Sequence, residues 1–178
     1  MQLLGKNVIL KTFGIEDIKD YRNWYSTETD WQKWDAPWIK RSFDENSIIE
    51  VRKSNMAKDP IMTFEIYSKE KHLGWVNAYY MDDEYIPVEA KTDKIAIGLD
   101  IPNSKYWSKG IGTEALELFI NYLKSSGLER IYIQTWSGNI RMIKLAEKLG
   151  FHEVNRYVNK RIVNDKKFDA LTFIKEQL

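Results

Sequence analysis

The spacing of apolar residues divides the chain into alternating strands and helices. Short apolar or alternating runs predict strands at residues 7–13, 61–68, 73–81, 94–101, 130–136, 153–163 and 167–175. Helical spacing predicts helices at 15–25 and 44–58, a third that ends at Gly127, and a fourth between a Ser137–Asn139 cap and Gly150. This order indicates an α/β (α+β) fold, with a mixed central sheet of about seven strands flanked by about four helices. With no internal repeat or linker, residues 1–178 are predicted to form a single domain.

A loop with two glycines leads directly into the third helix. Gly110 and Gly112 flank Ile111, and Thr113 follows in the first turn. Glycines at a helix entrance let backbone N–H groups approach an anion at the positive end of the helix dipole, and Lys109 adds a mobile positive charge. The pattern favours a phosphate or pyrophosphate, although a tight turn alone would also explain it.

Two common phosphate motifs do not fit this loop. A P-loop requires G-x-x-x-x-G-K-[ST], which is not present here. The dinucleotide fingerprint is matched literally by Gly110, Gly112 and Ala115. It also requires a strand that runs into the first glycine and an acid at the end of the next strand. Here the preceding strand ends too early, at Ile101, and the next strand ends at Trp136 without an acid.

A third pattern covers the C-terminal half. Trp107–Thr113, Asn139 and Leu149–Phe151 together resemble the acetyl-CoA-binding core of the GNAT superfamily of N-acetyltransferases. The sequence W-S-K-G-I-G-T-E-A is similar to the motif of the branch that contains ribosomal-protein N-terminal acetyltransferases. Two positions depart from the family: Met142 stands where Ala or Ser is common, and Ala146 stands where a tyrosine acid is usual.

This resemblance implies the GNAT fold, acetyl-CoA as cosubstrate and no metal. The strand before the loop would contact the pantetheine arm through its backbone, the loop would hold the pyrophosphate, and an asparagine at the next helix start would bind near the thiol. The positions that would bind the cosubstrate are Leu99, Ile101, Lys109, Gly110, Ile111, Gly112, Thr113 and Asn139. Asn139 is equally well explained as a helix N-cap, and the two roles are compatible.

Acetyl transfer to an amine requires a group that removes a proton. Asp100 is the first candidate, because an acid in the apolar strand K-I-A-I-G-L-D-I is unusual as plain core. That strand also resembles the one in aminoglycoside 6'-N-acetyltransferases in which an acid serves as base. A turn hydrogen bond at the strand end is the alternative. Glu65 is the second candidate, and a solvated acid on a strand face is its alternative.

The acid that would protonate the leaving thiolate is not assigned. The candidates are tyrosines that would more commonly be core or edge residues: Tyr79, Tyr80, Tyr132 and Tyr157.

The acceptor site in this fold lies near the loop between the first two helices. That loop carries the substrate-binding candidates, which combine aromatic faces with an acid: Trp31, Trp34, Asp35 and Trp38. Such a combination suits a cationic amine, and the acidic loop at residues 82–93 would add negative charge on the same side. The alternatives are tryptophans that anchor the loop and an acidic loop that is merely solvated.

Composition narrows the class of protein further. The net charge of +1 argues against a nucleic-acid partner, and the absence of cysteine agrees with an intracellular protein. We find no signal peptide, no apolar run long enough for a membrane span and too few histidines for a histidine metal cluster. We therefore expect a cytoplasmic protein with no membrane or nucleic-acid partner, and a homodimer is compatible with this.

The predicted function is transfer of acetyl from acetyl-CoA to a primary amine by direct attack. The acceptor would be a protein N-terminus or a small cationic amine such as an aminoglycoside or polyamine. A CoA-binding module without activity is the alternative that Ala146 leaves open.

Overall fold

The computed structural model describes residues 1–175. Its strands are β1 (Gln2–Leu4), β2 (Ile9–Lys11), β3 (Thr63–Ser68), β4 (Lys71–Met81), β5 (Pro87–Val88), β6 (Lys94–Asp100), β7 (Arg130–Trp136), β8 (His152–Val163) and β9 (Lys166–Lys175). Its helices are α1 (Ile18–Ser26), α2 (Glu45–Met56), α3 (Ile111–Ser125) and α4 (Ile140–Lys148). The strands form one sheet in the order β1-β2-β3-β4-β6-β7-β9-β8, and β5 pairs with β4.

The predicted fold class is confirmed, and the differences are at the ends of elements. The sheet has nine strands because two short ones, Gln2–Leu4 and Pro87–Val88, add to its edges. Strands of two or three residues carry too few side chains to show an alternating pattern, so only their sheet partners define them. The predicted first strand, residues 7–13, is shorter as Ile9–Lys11, and the first turn of the predicted first helix is a 3-10 turn at Ile15–Asp17.

The two faces of the sheet are covered by different helices. Helices α3 and α4 bury their apolar stripes, including Phe119 and Ala146, against the main core. Helices α1 and α2 cover the other face through an aromatic cluster that contains Tyr21, Trp24 and Trp75. A sheet buried on both faces explains why the strand at 94–101 reads as almost entirely apolar.

The sheet opens between its two central strands. β6 and β7 run parallel and pair from Lys94–Arg130 as far as Ile97–Ile133. Beyond that point β6 stays paired only with β4, up to Asp100, and β7 stays paired only with β9, up to Trp136. The two strands therefore diverge and leave the backbone of residues 98–100 unpaired on the side that faces β7.

A glycine in β4 allows the end of β6 to approach closely. Gly74 has a φ of 154°, and a Cβ added there would lie 1.9 Å from the Asp100 carbonyl oxygen. No other residue allows the two backbones to approach this closely. Gly74 therefore permits the close approach of the β4 backbone to Asp100 at the open end of the sheet.

Candidate active site

A single cleft of about 1060 Å³ passes through the opening between β6 and β7. Most of the predicted site residues line it: Trp31, Trp34, Asp35, Trp38, Leu99, Asp100, Ile101, Gly110, Gly112, Thr113 and Asn139. Three predicted residues do not, namely Glu65, Lys109 and Ile111. Ile111 is buried in the main core, and Lys109 is exposed outside the cleft.

The glycine loop carries a row of backbone donors beside this cleft. Ser108 and Gly110 have φ values of 58° and 81°, which turn the chain sharply before Gly110 caps α3. Within the part of the chain that the structure describes, the N–H groups of residues 108–113 donate to no acceptor. Unsatisfied donors at the start of a 15-residue helix form an anion-binding site.

Gly112 brings this helix start close to β6. A Cβ at this position would lie 3.1 Å from the Leu99 side chain and 3.8 Å from that of Ile101. The free N–H groups of the loop and the unpaired backbone of β6 are therefore neighbours along one path.

Basic side chains of α4, which the sequence analysis did not select, line the same end of the cleft. Arg141, Lys144 and Lys148 lie at i, i+3 and i+7 and share one face of the helix. Lys148 Nζ donates to Thr113 Oγ1 at 3.3 Å, and the guanidinium of Arg141 lies over the rings of both Trp34 and Trp107. The spacing of these basic residues, at i, i+3 and i+7 of the predicted fourth helix, is the sequence signal that could have identified them.

Asp100 lies on the face of the sheet opposite to α3. It pairs with Trp75, which in turn pairs with Glu65, so the three side chains form one row across the sheet. Burial raises the pKa of Asp100 well above its usual range, the charge of Asp35 raises it further, and the positive charges of Arg41 and Arg52 oppose both. The cleft thus holds a carboxyl group that accepts a proton more readily than an exposed aspartate.

Glu65, in contrast, is fully buried away from the cleft. It lies two strands from Asp100, about 10 Å across the sheet, with Trp75 between them. Its carboxylate accepts from the Tyr21 hydroxyl at 2.7 Å, faces a nitrogen of His72 at 2.9 Å and pairs with Arg52 at 3.5 Å. The alternative of a solvated strand-face acid is wrong, and the geometry gives Glu65 no contact with reacting atoms.

The tryptophan loop is fastened to the edge of the opening. The Trp34 carbonyl accepts from Trp136 Nε1 at 2.7 Å and from Asn139 Nδ2 at 3.1 Å. Asn139 Oδ1 also accepts from the Met142 N–H, so this side chain caps α4 and holds the loop at the same time. Trp31 is 3% exposed and anchors the loop, because its Nε1 donates to a carbonyl of α1.

Asp35 belongs to the same loop, and its charge is compensated. Its carboxylate pairs with Arg41 at 2.5 Å. Burial raises the pKa of Asp35, while the charge of Arg41 and its hydrogen bond act in the opposite direction.

The acidic loop does not bring its charges to the cleft, which corrects our expectation. Its contribution to the lining is Tyr85, Ile86 and Pro87. The Asp82 carboxylate accepts from backbone N–H groups of its own loop, and Asp83 pairs with Lys94. None of the acids of residues 82–93 lines the cleft, so they do not supply the negative charge predicted near the acceptor.

Of the four tyrosines considered as thiol acids, Tyr79 and Tyr157 line the cleft. Tyr80 and Tyr132 do not, and they are buried in the apolar clusters on either face of the sheet. The Tyr79 hydroxyl donates to Gln134 Oε1 at 2.8 Å. Burial raises the pKa of Tyr79, which keeps this hydroxyl protonated.

Comparison with known proteins assigns the family. Residues 7–152 match the family model described as acetyltransferase (GNAT) domain. The chain belongs to this family. The resemblance seen in the glycine loop and α4 is therefore confirmed at the level of the superfamily, and the family's acetyltransferase class is the enzyme class that we predicted.

The relatives show how far the likeness extends. An uncharacterized protein of Methanocaldococcus jannaschii is 28% identical over 111 residues, which cover 57% of this chain. The match covers 23% of that protein, so the chain spans about a quarter of the curated relative's length.

Solved structures agree with the fold of this GNAT chain. YncA of Salmonella typhimurium, a putative acetyltransferase solved with acetyl-CoA, has a TM-score of 0.77 at 13% identity and covers 96% of this chain and 94% of its own. RimL, a ribosomal L7/L12 alpha-N-protein acetyltransferase, has a TM-score of 0.77 at 10% identity and covers 99% and 94%. At this level of identity, the likeness concerns the fold alone.

Among residues 1–175, no helix is long and apolar enough to cross a membrane. In the same residues, no group of three or more His, Asp or Glu side chains is arranged to hold a metal ion.

Proposed function

We propose that this GNAT chain transfers the acetyl group of acetyl-CoA to a primary amine by direct attack. The observation that carries the proposal is the opening after Ile97 and Ile133. It connects a row of free N–H donors on one face of the sheet with a carboxyl group of raised pKa on the other.

The donor half of the cleft has the charge and geometry for a pyrophosphate and a pantetheine arm. The N–H groups of residues 108–113 would bind the pyrophosphate, and Arg141 and Lys148 would add positive charge beside it. The unpaired backbone of residues 98–100 would bind the amide groups of the arm, as an additional strand would. The thioester would then lie in the opening, next to Asp100.

In the reaction, the amine nitrogen forms a bond to the thioester carbonyl carbon. Asp100 takes the proton that the nitrogen loses. Its raised pKa makes this carboxylate a stronger general base than an exposed aspartate. The C–S bond breaks, its electron pair leaves with the sulfur, and the thiolate takes up a proton. Position 146 cannot donate it, because the methyl side chain of alanine carries no acidic proton.

For the acceptor, the structure supports a narrower choice than the sequence does. Trp34 and Trp38 form aromatic walls of the cleft, which suits an amine. A polyamine or aminoglycoside would also require several free carboxylates, but the acids of residues 82–93 do not line the cleft and Asp35 is paired with Arg41. A single primary amine, such as an amino terminus, therefore has more support than a polycation.

The test is a comparison of acetyl-CoA with NADH and ATP as stabilising ligands. A ligand at 100 to 1,000 times its dissociation constant stabilises by roughly 3–4 kcal/mol, which raises the melting temperature by several degrees. We expect acetyl-CoA to do so and to release free thiol when a suitable amine is added. Stabilisation by NADH or ATP alone would contradict the donor assignment.

Stabilisation by acetyl-CoA without thiol release from any amine would favour the inactive CoA-binding module instead. A single domain over 1–178, a cytoplasmic location, a homodimer and the absence of nucleic-acid and membrane partners stay predictions from the sequence.

A further inference from the structure

The arginines of the chain differ in how their charge is compensated. There are seven arginines. Five of them pair with carboxylates, namely Arg22, Arg41, Arg52, Arg130 and Arg156. Among residues 1–175, Arg141 and Arg161 have no carboxylate partner, and both line the cleft. The cleft thus holds two uncompensated guanidinium groups.

The two groups lie in different halves of the cleft. Arg141 contacts Trp107 beside the glycine loop, where the donor phosphates would bind. Arg161 stacks on Trp38, with its guanidinium carbon 4.6 Å from the ring centroid, and Trp38 packs edge-on against Trp136 at 5.9 Å. Arg161 therefore belongs to the acceptor half.

The side chain of Arg161 is held by packing, but its hydrogen-bonding capacity is not satisfied. It is half-buried on β8, opposite Phe168 of β9, and the stacking on Trp38 orients its plane. Its Nε is buried and has no hydrogen-bond partner in the described residues. Desolvating a cation without a partner is unfavourable, so an anion that enters the cleft here would be bound favourably.

The same side chain faces the reaction chamber. Burial, and then the charge of Asp35, raise the pKa of Tyr79, and the charge of Arg161 is the one that opposes them. Tyr79 lines the cleft on the face of the sheet that carries Asp100. An anion bound to Arg161 would thus share one chamber with an amine near Asp100.

The carboxylates of the cleft do not neutralise Arg161. Asp35 is paired with Arg41, and burial of Asp100 disfavours its charged form. The acceptor half is therefore short of negative charge rather than rich in it.

We infer that the amine acceptor carries a carboxylate close to its amino group, and that Arg161 binds this carboxylate. A guanidinium presents a planar fork that matches a carboxylate with two parallel hydrogen bonds, and the Trp38 face would hold that plane. The inference rests on the proposed function and specifies its substrate class. The shared chemistry is found in a free amino acid and in an acidic residue near a peptide N-terminus.

The experiment compares matched acceptors that differ in the carboxylate alone. Leucine is paired with isoamylamine, and a peptide beginning Ala-Asp is paired with one beginning Ala-Asn. The kcat/KM ratio within each pair is measured for the wild type and for Arg161→Gln. Comparing ratios between the two proteins cancels the intrinsic difference in amine basicity.

We expect Arg161→Gln to lower the preference for the carboxylate member about 10- to 100-fold, as expected for hydrogen bonds to a charged group. Its affinity for acetyl-CoA should stay within about twofold, and its loss of kcat/KM should be smaller for the neutral amine than for the carboxylate member. An effect in the leucine pair would indicate a free amino acid as acceptor, and an effect in the peptide pair would indicate an acidic residue near a peptide N-terminus. Arg156→Gln is the control, because Arg156 lies on the same strand outside the cleft and should leave both ratios unchanged.

Three results would overturn the inference. The ratios could be the same in wild type and Arg161→Gln, or the variant could lose acetyl-CoA affinity instead, which would assign Arg161 to the donor half. A polyamine such as spermidine could also be a better acceptor than either carboxylate-bearing amine.

A binding measurement separates these results from failure of the proposed function. If no amine is turned over, N-acetylleucine and N-acetylisoamylamine are compared by thermal shift in the presence of CoA. Stronger stabilisation by N-acetylleucine that disappears in Arg161→Gln would support the carboxylate site in an inactive protein. Equal stabilisation by both would overturn the inference even if acetyl-CoA binds.

Discussion

Asp100 is a carboxyl group that the fold makes difficult to ionise. Burial at the end of β6 and the nearby charge of Asp35 raise its pKa, against the opposing charges of two arginines. An unfolded aspartate ionises near pH 3.9, so above that pH the native state binds more protons than the unfolded state. The free energy of unfolding contributed by Asp100 therefore falls as the pH rises from about 4 through the raised native pKa. Above that native pKa, the destabilisation by the buried carboxylate is complete.

We predict that Asp100→Asn makes the protein more stable and less active at pH 8. The amide cannot ionise, so the variant should gain about 1–3 kcal/mol of unfolding free energy at pH 8, and the gain should shrink towards pH 4. Loss of the base should lower kcat by about 100- to 10,000-fold, with little change in acetyl-CoA affinity. Urea unfolding and thiol release measure the two effects. A parallel loss of acetyl-CoA affinity and kcat would argue against Asp100 as base.

Glu65→Gln is the matched comparison for this variant. Removing the charge of a fully buried partner of Arg52 should cost about 3–5 kcal/mol. Activity per folded molecule should be retained at low temperature. A loss of kcat in folded Glu65→Gln as large as that in Asp100→Asn would restore Glu65 as a candidate base.

At the scale of elements, the start of α3 combines two requirements. Its first turn must leave N–H groups free, and it must pack against the end of β6 where the sheet opens. Gly112 meets the second requirement, since a Cβ there would be 3.1 Å from the Leu99 side chain. Leu99 and Ile101 line the cleft, so any displacement of them changes its shape.

We predict that Gly112→Val weakens acetyl-CoA binding about 10- to 100-fold, because a branched side chain would separate the loop from β6. The dissociation constant, measured by titration calorimetry, checks this. Asn121→Val is the control, since it places the same branched residue at an exposed position of the same helix. Equal affinities in wild type and Gly112→Val would remove the loop from the proposed donor site.

At the scale of the whole molecule, a buried polar cluster joins α1 to the sheet. His72 Nε2 faces Glu65 at 2.9 Å, and its Nδ1 faces Asp20 at 3.1 Å and Asp17 at 3.8 Å. Both ring nitrogens can donate only when the imidazole is protonated. The Tyr67 ring stacks on the imidazole, and its hydroxyl donates to Asp17.

Two further groups complete the cluster, Arg52 from α2 and Tyr21 from α1. Arg52 pairs with Glu65 and donates to Thr63, and the Tyr21 hydroxyl donates to Glu65. Burial lowers the pKa of His72, but the hydrogen bond and charge of Glu65, the charge of Asp17 and the hydrogen bond to Asp20 outweigh it, so the pKa is raised overall.

A raised histidine pKa has a definite consequence for stability. The contribution of protonated His72 is fully present below about pH 6.5 and is lost as the pH rises through the native pKa. We predict that His72→Gln lowers the unfolding free energy by about 1–3 kcal/mol at pH 6 and by less at pH 9. Urea unfolding at both pH values measures the difference between wild type and variant. Comparing the two proteins at each pH cancels the contribution of Asp100, and a difference that grows with pH would contradict the assignment.

The order of the elements, the glycine loop and the capped helix α4 could be predicted from the sequence alone. Each depends on local rules: apolar spacing, the freedom of Gly110 at positive φ, and the side chain of Asn139 at a helix start. The family resemblance could be read there too, because its motif is continuous along the chain.

The tertiary structure alone decided where the charges act. Whether Asp35 and the acidic loop face a ligand depends on how the chain folds around them, since Asp35 pairs with Arg41 of its own loop and Asp83 pairs with Lys94 at the start of β6. Likewise, Glu65 and Asp100 are similar acids in the sequence, but the pairing of β3, β4 and β6 places only Asp100 at the opening. Pairing and burial join residues that are distant in the chain, and no local pattern records those partners.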